Sequence, residues 1–487
     1  MYLSKEECAC FFTIIAIFFI LIAFSSCIHR NPEVYREESI HELQEVLEGQ
    51  TPEKIKLEQE LTLDECIQIA LNNNAQVKIS RINQKIARLE KNIAFSNFLP
   101  QINAEFQIVN YDRQPMVNLG PLSTAMQDQT IRMNTVQLQA PIFAPATWFL
   151  YDLRDKGIDT SNLVKDYTCQ MIALQTTALF FQILALENME KTLTLQLENA
   201  NKLMEQIDCF YEEGMVTQSQ KEQVLLLKQS RERDLNQCRE EIKTIRAQFN
   251  TVLGISPIKK IKLSQQIDIP EPSENIEDLI LAALKDHPRI LIEDRKVEVS
   301  DDEIKLAVTN FLPLIGLFTQ WQYTSNSYTM YSQSVLSGLH GVLTLFNGFA
   351  NVQQYKIARA KREKAFIERE ETSLSLMSGV IRAKANLEKA KEDLKLAEQA
   401  YRYSKERHRE MNEKWNEGMV VDVDMVTVQN ELTISEINLI NAKIQEQVAI
   451  AILWNTMGKT YSGSSIYKEK EKDSRNNEEK SKYEKNL

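Results

Sequence analysis

The chain has 487 residues, only 13 Gly and 12 Pro, 26% charged residues and a net charge of −11. That balance leaves no basic stripe for phosphates and excludes general nucleic-acid binding. Few breakers among many Glu, Lys, Gln and Leu favour long helices over a compact mixed fold.

Near the start of the chain, after "MYLSKEECAC", lies "FFTIIAIFFILIAF" (Phe11–Phe24), an uncharged apolar run shorter than the ~20 residues of a bilayer-spanning helix. With "SSC" after it, the run reads as a secretory signal peptide over residues 1–26. Cys27 in that position resembles the acylated cysteine of a bacterial lipobox, which implies a covalent lipid there; an uncleaved membrane anchor is the alternative. Ile28 follows, where an acidic residue often marks inner-membrane retention. Residues 27–60 form a polar leader. Cys66, Cys169, Cys209 and Cys238 fall in no CxxC or Cys/His cluster, so they are expected as small buried hydrophobes, with no metal bound.

From residue 61 the chain repeats itself. Leu61–Pro100 lies over Glu274–Pro313 without a gap, with Ile67, Ala70, Leu71, Ile79, Glu90 and Ala94 recurring and both stretches ending in "NFLP". Further on, "YEEGMV" (Tyr211–Val216) is echoed by "WNEGMV" (Trp415–Val420), and "TVLG" by "NTMG". One unit is therefore used twice, over residues 61–254 and 276–458, with residues 255–275 as the connection.

Each unit opens with a short helix (about 62–73, about 276–285) and a longer one that runs to NFLP. There Pro100 or Pro313 removes a backbone donor and biases the residue before it to an extended shape, which makes a helix-to-strand junction. Two alternating stretches follow in each unit, about 101–111 and 131–143, then about 314–324 and 334–346. Ile102, Ala104, Phe106 and Ile108 share one face of the first, and Asn103, Glu105 and Gln107 the other. Val136, Leu138, Ala140 and Ile142 repeat the pattern, as do Ile315, Leu317, Thr319, Trp321 and Tyr323, and then Val335, Leu339, Leu343 and Leu345. Period two over such lengths, apolar on one side and polar on the other, suits transmembrane β-strands. Trp321 and Tyr323 are expected in an aromatic girdle, and Trp148 at the opposite interface.

The longest helix of each unit comes next, at about 147–211 and about 348–414, ~95 Å at 1.5 Å per residue. Met189, Leu193, Ala200, Met204 and Ile207, and in the second copy Leu387, Ala390, Leu394, Ala397 and Tyr401, run near a seven-residue period, a coiled-coil seam. Gly214 or Gly418 breaks the helix, and a return helix ends near Gly254 or Gly458. Matching lengths suggests that the first return helix (217–253) and the second ascending one (about 287–311) together line the long helix. The charged tail, residues 459–487, has too few apolar residues to fold.

Four strands cannot close a barrel, and open sheet edges are not tolerated in lipid. Several copies must share one sheet. Two would give eight strands filled by side chains, and three would give twelve around a lumen.

The repeated pattern "LTLDECIQIALNNN … NFLPQINAEFQ", with its strand pairs and "EGMV" turns, resembles the outer-membrane efflux protein (TolC-like) family over roughly residues 60–460. Cys27 resembles that family's lipoprotein branch. The resemblance implies a mainly α fold with a small β part: a long α-helical barrel of coiled-coil hairpins that continues into a trimeric twelve-stranded transmembrane β-barrel, four strands per chain. It implies a homotrimer in the outer membrane that reaches into the periplasm, partnered by a periplasmic adaptor protein and an inner-membrane pump of the resistance-nodulation-division type. By the same resemblance the two helix turns, Gly214, Met215, Val216 and Thr217 with Gly418, Met419, Val420 and Val421, contact the adaptor; glycine also simply ends helices. Asp424, with Asp422 beside it, matches an aspartate that rings the tunnel entrance in some members. The next such position is Thr427 here, which leaves the ring thinner, and acidic residues also suit the first turn of a helix.

No P-loop, GxSxG or paired-acid spacing occurs, and the five His are scattered, so no enzyme activity and no cofactor are expected. Passive export of small molecules such as drugs is the leading expectation. Protein secretion, metal-ion efflux and a non-pore coiled-coil scaffold stay open.

Overall fold

The structure, a computed structural model, describes residues 32–47, 60–119, 122–264, 269–272, 275–417 and 422–459. The chain divides into two units, Met1–Gln59 and Glu60–Leu487. The first contains a helix, α1 (Pro32–Leu47), where only a polar leader was expected; its described side chains are exposed. The signal segment, Cys27 and the tail past residue 459 lie outside the described residues.

In the second unit the elements run α2 (Leu63–Asn73), α3 (Ala75–Ser96), β1 (Gln101–Asn110), β2 (Met116–Leu119), β3 (Leu122–Ala125), β4 (Thr130–Phe143), α4 (Pro145–Glu212) and α5 (Gln218–Leu253). The second repeat follows as α6 (Ile276–Asp286), α7 (Pro288–Thr309), β5 (Leu314–Thr324), β6 (Gln333–Val342), α8 (Ala350–Asn416) and α9 (Asp422–Thr456). The small hairpin β2–β3 has no counterpart among the described residues of the second repeat, and the alternation of the sequence does not reveal it. "NLGPL" holds its turn signal, but two four-residue strands carry too little alternation to stand out.

Local chemistry sets the boundaries. Thr62 and Glu65 form a reciprocal capping box that starts α2: the Glu65 carboxylate accepts from the Thr62 N–H at 2.8 Å, and the Thr62 hydroxyl accepts from the Glu65 N–H at 3.3 Å. Asn74 then caps α3 by accepting from the Gln76 N–H at 2.8 Å. His287 takes the same position in the second repeat; its Nδ1 accepts from the Arg289 N–H at 3.1 Å, and Pro288 occupies the first helical position. His287 is buried, with its ring 6.1 Å from that of Tyr167. Burial, and then the neighbouring Arg289 charge, push its pKa down to about 4.

The helices stack differently from the length argument. α5 does not run on into α7. It ends against the start of α3: Asn74 Nδ2 donates to the Val252 carbonyl at 2.8 Å, and Gly254 sits against Asn73. In the same way α9 ends against α7, with Gly458 on His287. Each 68- or 67-residue descending helix is thus flanked by a broken ascending column, 36 then 22 residues in one repeat and 35 then 22 in the other. The physical reason is close approach. Gly254 and Gly458 both adopt left-handed φ (69° and 74°), and a Cβ on either would lie 2.5 Å from Asn73 O or His287 Cα.

A hydrophobic core lies beside the break in the first column. α2 packs on α4 and α5, and Leu63, Cys66, Ile67, Ala70 and Leu71 of α2 are buried, as are Phe180, Phe181, Ile183 and Leu184 of α4 and Phe249 and Leu253 of α5. Phe180 meets Phe249 edge to face, ring centroids 6.3 Å apart. Leu61 bridges to Leu263 in parallel, which pins the start of the connection. Burial in this belt pushes the Cys66 thiol up to about 12, so it stays a neutral hydrophobe. Cys169 and Cys238 are buried too; Cys209 is exposed, contrary to expectation. By length and composition α4 could cross a membrane, but much of its apolar stretch is spent on this belt and on the hairpin seam.

Toward the strands the helices are laced by ion pairs. Asp302 of α7, almost wholly buried, accepts from Lys156 of α4 at 2.5 Å and from Lys305 at 2.9 Å. Burial would raise its carboxyl, but the two lysines outweigh this and hold it below the ordinary carboxylate range. Glu90 pairs with Arg154 at 3.0 Å, and its repeat counterpart Glu303 with Lys361 at 3.2 Å.

Two predictions follow from this packing. Gly254→Ala and Gly458→Ala will each destabilise the fold by ~1–3 kcal/mol or more, whereas Gly214→Ala, with open space around it, will lose only ~1 kcal/mol; denaturant midpoints measure both. Because the folded pKa of His287 lies below the ordinary 6.5, the unfolded chain binds the extra proton between those values. The stability His287 contributes is complete above pH 6.5 and lost as pH falls toward 4. His287→Asn, which keeps a capping side chain, will flatten the melting temperature over that window.

Candidate functional site

The strands form one four-stranded antiparallel sheet in the order β1-β4-β5-β6. The β4–β5 seam joins the two repeats, with Val136 opposite Trp321 and Leu138 opposite Thr319. β1 and β6 each keep one edge unpaired by strand hydrogen bonds. Register sorts the side chains into two faces. On one, Ala104, Val136, Trp321 and Val335 form a row across all four strands. Ile102 (69% exposed), Phe106 (67%), Leu317 and Leu339 extend that apolar face. On the other, Asn103, Gln137, Gln320 and Leu336 form one row and Glu105, Thr135, Gln322 and Ser334 the next.

Two details of the sheet depart from simple alternation. The register shifts between Pro141 and Phe143, so Phe143 faces Ile315 and the apolar face does not continue through Ile142. Pro141 supplies no ladder donor, which is where a bulge is tolerated. β6 stops at Val342, so Leu343 and Leu345 lie beyond the strand that was expected to carry them.

Both NFLP words sit at the sheet margin. Asn97 ends α3 in helical conformation, and the Phe98 and Leu99 N–H groups donate three residues back, to Phe95 and Ser96, at 3.0 Å. Pro100 then blocks further helix, and β1 begins at Gln101. Phe311, Leu312 and Pro313 repeat this before β5. Aromatic rings gather here: Phe95, Phe98 and Tyr151 within 6.3 Å of one another, Trp148 against Phe143 at 5.9 Å, and exposed Phe346 against Phe349 at 5.3 Å. The Phe346–Phe349 pair escaped the sequence reading because it lies past a strand that ends early. At the far end of the sheet the two loops are clasped. The Ser327 N–H and hydroxyl donate to the Asp128 carboxylate at 2.6 and 2.8 Å, and Asn326 Oδ1 accepts from the Asp128 N–H at 3.0 Å.

At the other end of the helices, the first tip divides its residues between two tasks. Gly214 adopts φ 74° and closes α4, with the Met215 N–H donating to the Phe210 carbonyl at 2.8 Å. Thr217 opens α5 through a capping box with Gln220. Val216, partly buried, packs onto Ile207 and Val224. Met215, 68% exposed, points away from this cluster. Gly418, Met419, Val420 and Val421 lie outside the described residues. Asp422 and Asp424 occupy the first turn of α9, and their side chains lie outside the described set.

Residues 279–459 match the sequence pattern of the outer membrane efflux protein family. The second repeat is thus similar to the outer membrane efflux protein family over those residues. Solved structures agree in fold across both repeats. A membrane protein from Pseudomonas aeruginosa aligns with a TM-score of 0.72 at 17% identity, over 83% of this chain and 91% of that one. The CmeC outer membrane channel of Campylobacter jejuni aligns at 0.70 and 16%, over 84% and 88%. The outer membrane protein VceC of Vibrio cholerae aligns at 0.68 and 14%, over 82% and 97%. Among curated proteins, no sequence matches this chain.

The fold of this chain is therefore TolC-like, mostly helical with a small strand part. Both the family and CmeC are described in terms of passage through a membrane, not catalysis. Among the described residues no group of His, Cys, Asp and Glu is arranged to hold a metal.

Met215→Asp, at a position with no packing role, will leave the melting temperature within about 1 °C and stability within ~0.5 kcal/mol. Val216→Asp will destabilise the hairpin by burying a charge against Ile207 and Val224. Thermal melts of the two purified variants separate the outward residue from the inward one.

Proposed function

We propose that this chain forms the exit duct of a tripartite efflux system, a homotrimer that passively carries small molecules such as drugs across the periplasm and outer membrane. The observation that carries this reading is the sheet: four strands with two open edges, one apolar face and one amide-rich face. In lipid the unpaired edge groups would each lose several kcal/mol. Setting β6 of one copy against β1 of the next satisfies them, and three copies give twelve strands, enough for a lumen.

In that assembly the apolar face meets lipid, and Asn103, Glu105, Gln137, Gln320 and Gln322 line the passage. A polar wall of this kind discriminates little between cargoes. Energy would come from an inner-membrane pump of the resistance-nodulation-division type, reached through a periplasmic adaptor. Gly214 and Met215, with residues 418–421 of the second tip, are the surfaces offered to that adaptor. Thr217 and Val216 act behind them by holding the turn. Asp422 and Asp424 from three copies would ring the tunnel entrance with negative charge, and Cys27 would carry the lipid that tethers the leader to the outer membrane. Met215→Asp trimers would then assemble normally yet fail to rescue export in a strain lacking the chain.

Unboiled samples in mild detergent are expected to migrate as a trimer that boiling collapses to the monomer. Asn103→Cys combined with Ser334→Cys, treated with a bis-maleimide, will give a ladder that stops at three. Monomeric migration without conductance in planar bilayers would remove the duct reading.

A further inference from the structure

A cavity of about 260 Å³ lies between the two helical hairpins, on the tip side of the central belt, walled by α4, α5, α8 and α9. Its chemistry is one-sided. Lys202, Arg231 and His408 line it together with amides and the Trp415 ring, and none of the described lining residues is a carboxylate, in a chain whose net charge is −11.

Arg231 is the informative group. Its side chain is only 12% exposed, and its acidic partner among the described residues, Asp234, stands 3.6 Å away while lying closer to Arg233, at 2.8 Å. Its other contact is the neutral side-chain carbonyl of Asn430 on α9. Burial lowers its pKa, and the Asp234 charge offsets this only in part. A buried guanidinium whose counter-charge is shared is stabilised by any further anion that reaches it. Lys202 is exposed at the same cavity and makes no ion pair among the described residues. His408 is not free to serve the same end: its Nε2 is held at 2.5 Å from Gln429 Oε1, and Gln429 Nε2 in turn donates to Gln196 Oε1 at 2.5 Å.

We propose that this cavity binds a small organic carboxylate with a flat apolar body, its charge between Arg231 and Lys202 and its ring against Trp415. The volume falls just below the ~300–1,000 Å³ of sites for drug-sized ligands, which fits a single-ring acid. Such a ligand touches both hairpins. It would therefore favour the spacing between them found in this structure over any arrangement that parts them. The proposal stands apart from the export reading, since binding can be measured on the purified protein whatever it carries.

The test uses the full chain in detergent, titrated with benzoate, benzamide and benzylamine by calorimetry and tryptophan fluorescence. Benzoate is expected to bind saturably and at least tenfold more tightly than benzamide, with no binding of benzylamine. The fluorescence change should vanish in Trp415→Phe. Lys202→Gln should weaken benzoate at least threefold with an unaltered melting temperature, and Arg231→Gln should weaken it further. Equal affinity for benzoate and benzamide, no saturable binding, or an unchanged benzoate affinity in Lys202→Gln would overturn the proposal. Should Arg231→Gln fail to fold, the Lys202 variant and the benzamide comparison decide it alone.

Discussion

Backbone groups at the edge of a sheet need partners wherever water cannot reach them, and here β1 and β6 leave two such edges open. That requirement organises the rest of the molecule. It makes the single chain an incomplete object in lipid, and it accounts for apolar side chains as large as Phe106 standing exposed on one face. It also asks that the strands be delivered in the same place twice, which the repeated NFLP junctions do by ending α3 and α7 at the sheet margin.

The helical part solves a separate problem, that of flanking one uninterrupted long helix with ascending segments from two different places in the sequence. α5 and α3 form one such column and α9 and α7 the other, each joined end to end at a glycine that lets two backbones approach within a distance no Cβ permits. Buried aromatic rings, Phe180, Phe181 and Phe249, stand in the helices beside the first of these joints. The repeat keeps the geometry while changing the chemistry: Asn74 caps one helix and a buried, neutral His287 caps its counterpart. A titratable group has thereby entered a position that in the other repeat has none.

Charge is distributed along the hairpins with similar division of labour. Near the strands, cross-helix pairs such as Lys156–Asp302 and Arg154–Glu90 match each cation with an acid. Toward the tips, ion pairs such as Lys221–Asp208 and Arg407–Glu431 are joined by an amide chain, His408 to Gln429 to Gln196, and positive charge is left partly unmatched at Arg231. The tip then separates structure from surface within four residues: Val216 and Thr217 hold the turn, and Met215 is presented outward.

Much of this was legible in the amino-acid sequence, because the signals concerned are local and periodic. Alternation at Ile102–Ile108 and Ile315–Tyr323 marked strands and their faces, the seven-residue spacing of Leu193, Ala200 and Ile207 marked the seam, and the NFLP and EGMV words marked the ends. The bulge at Pro141–Phe143, the early end of β6 and the short β2–β3 hairpin were not legible, since each is decided by pairing across strands and not by spacing along one. The same holds for the columns. Lengths alone were compatible with α5 meeting α7, and only the contact of Gly254 with Asn73 shows that it meets α3. The sequence by itself thus determined the kinds of element, their order and the face each strand turns to its surroundings, because these follow from side-chain period. Only the tertiary structure decided which helix continues which, that Val216 faces inward, and that Arg231 lacks a counter-charge of its own, because these depend on groups distant in the chain coming within a few ångströms.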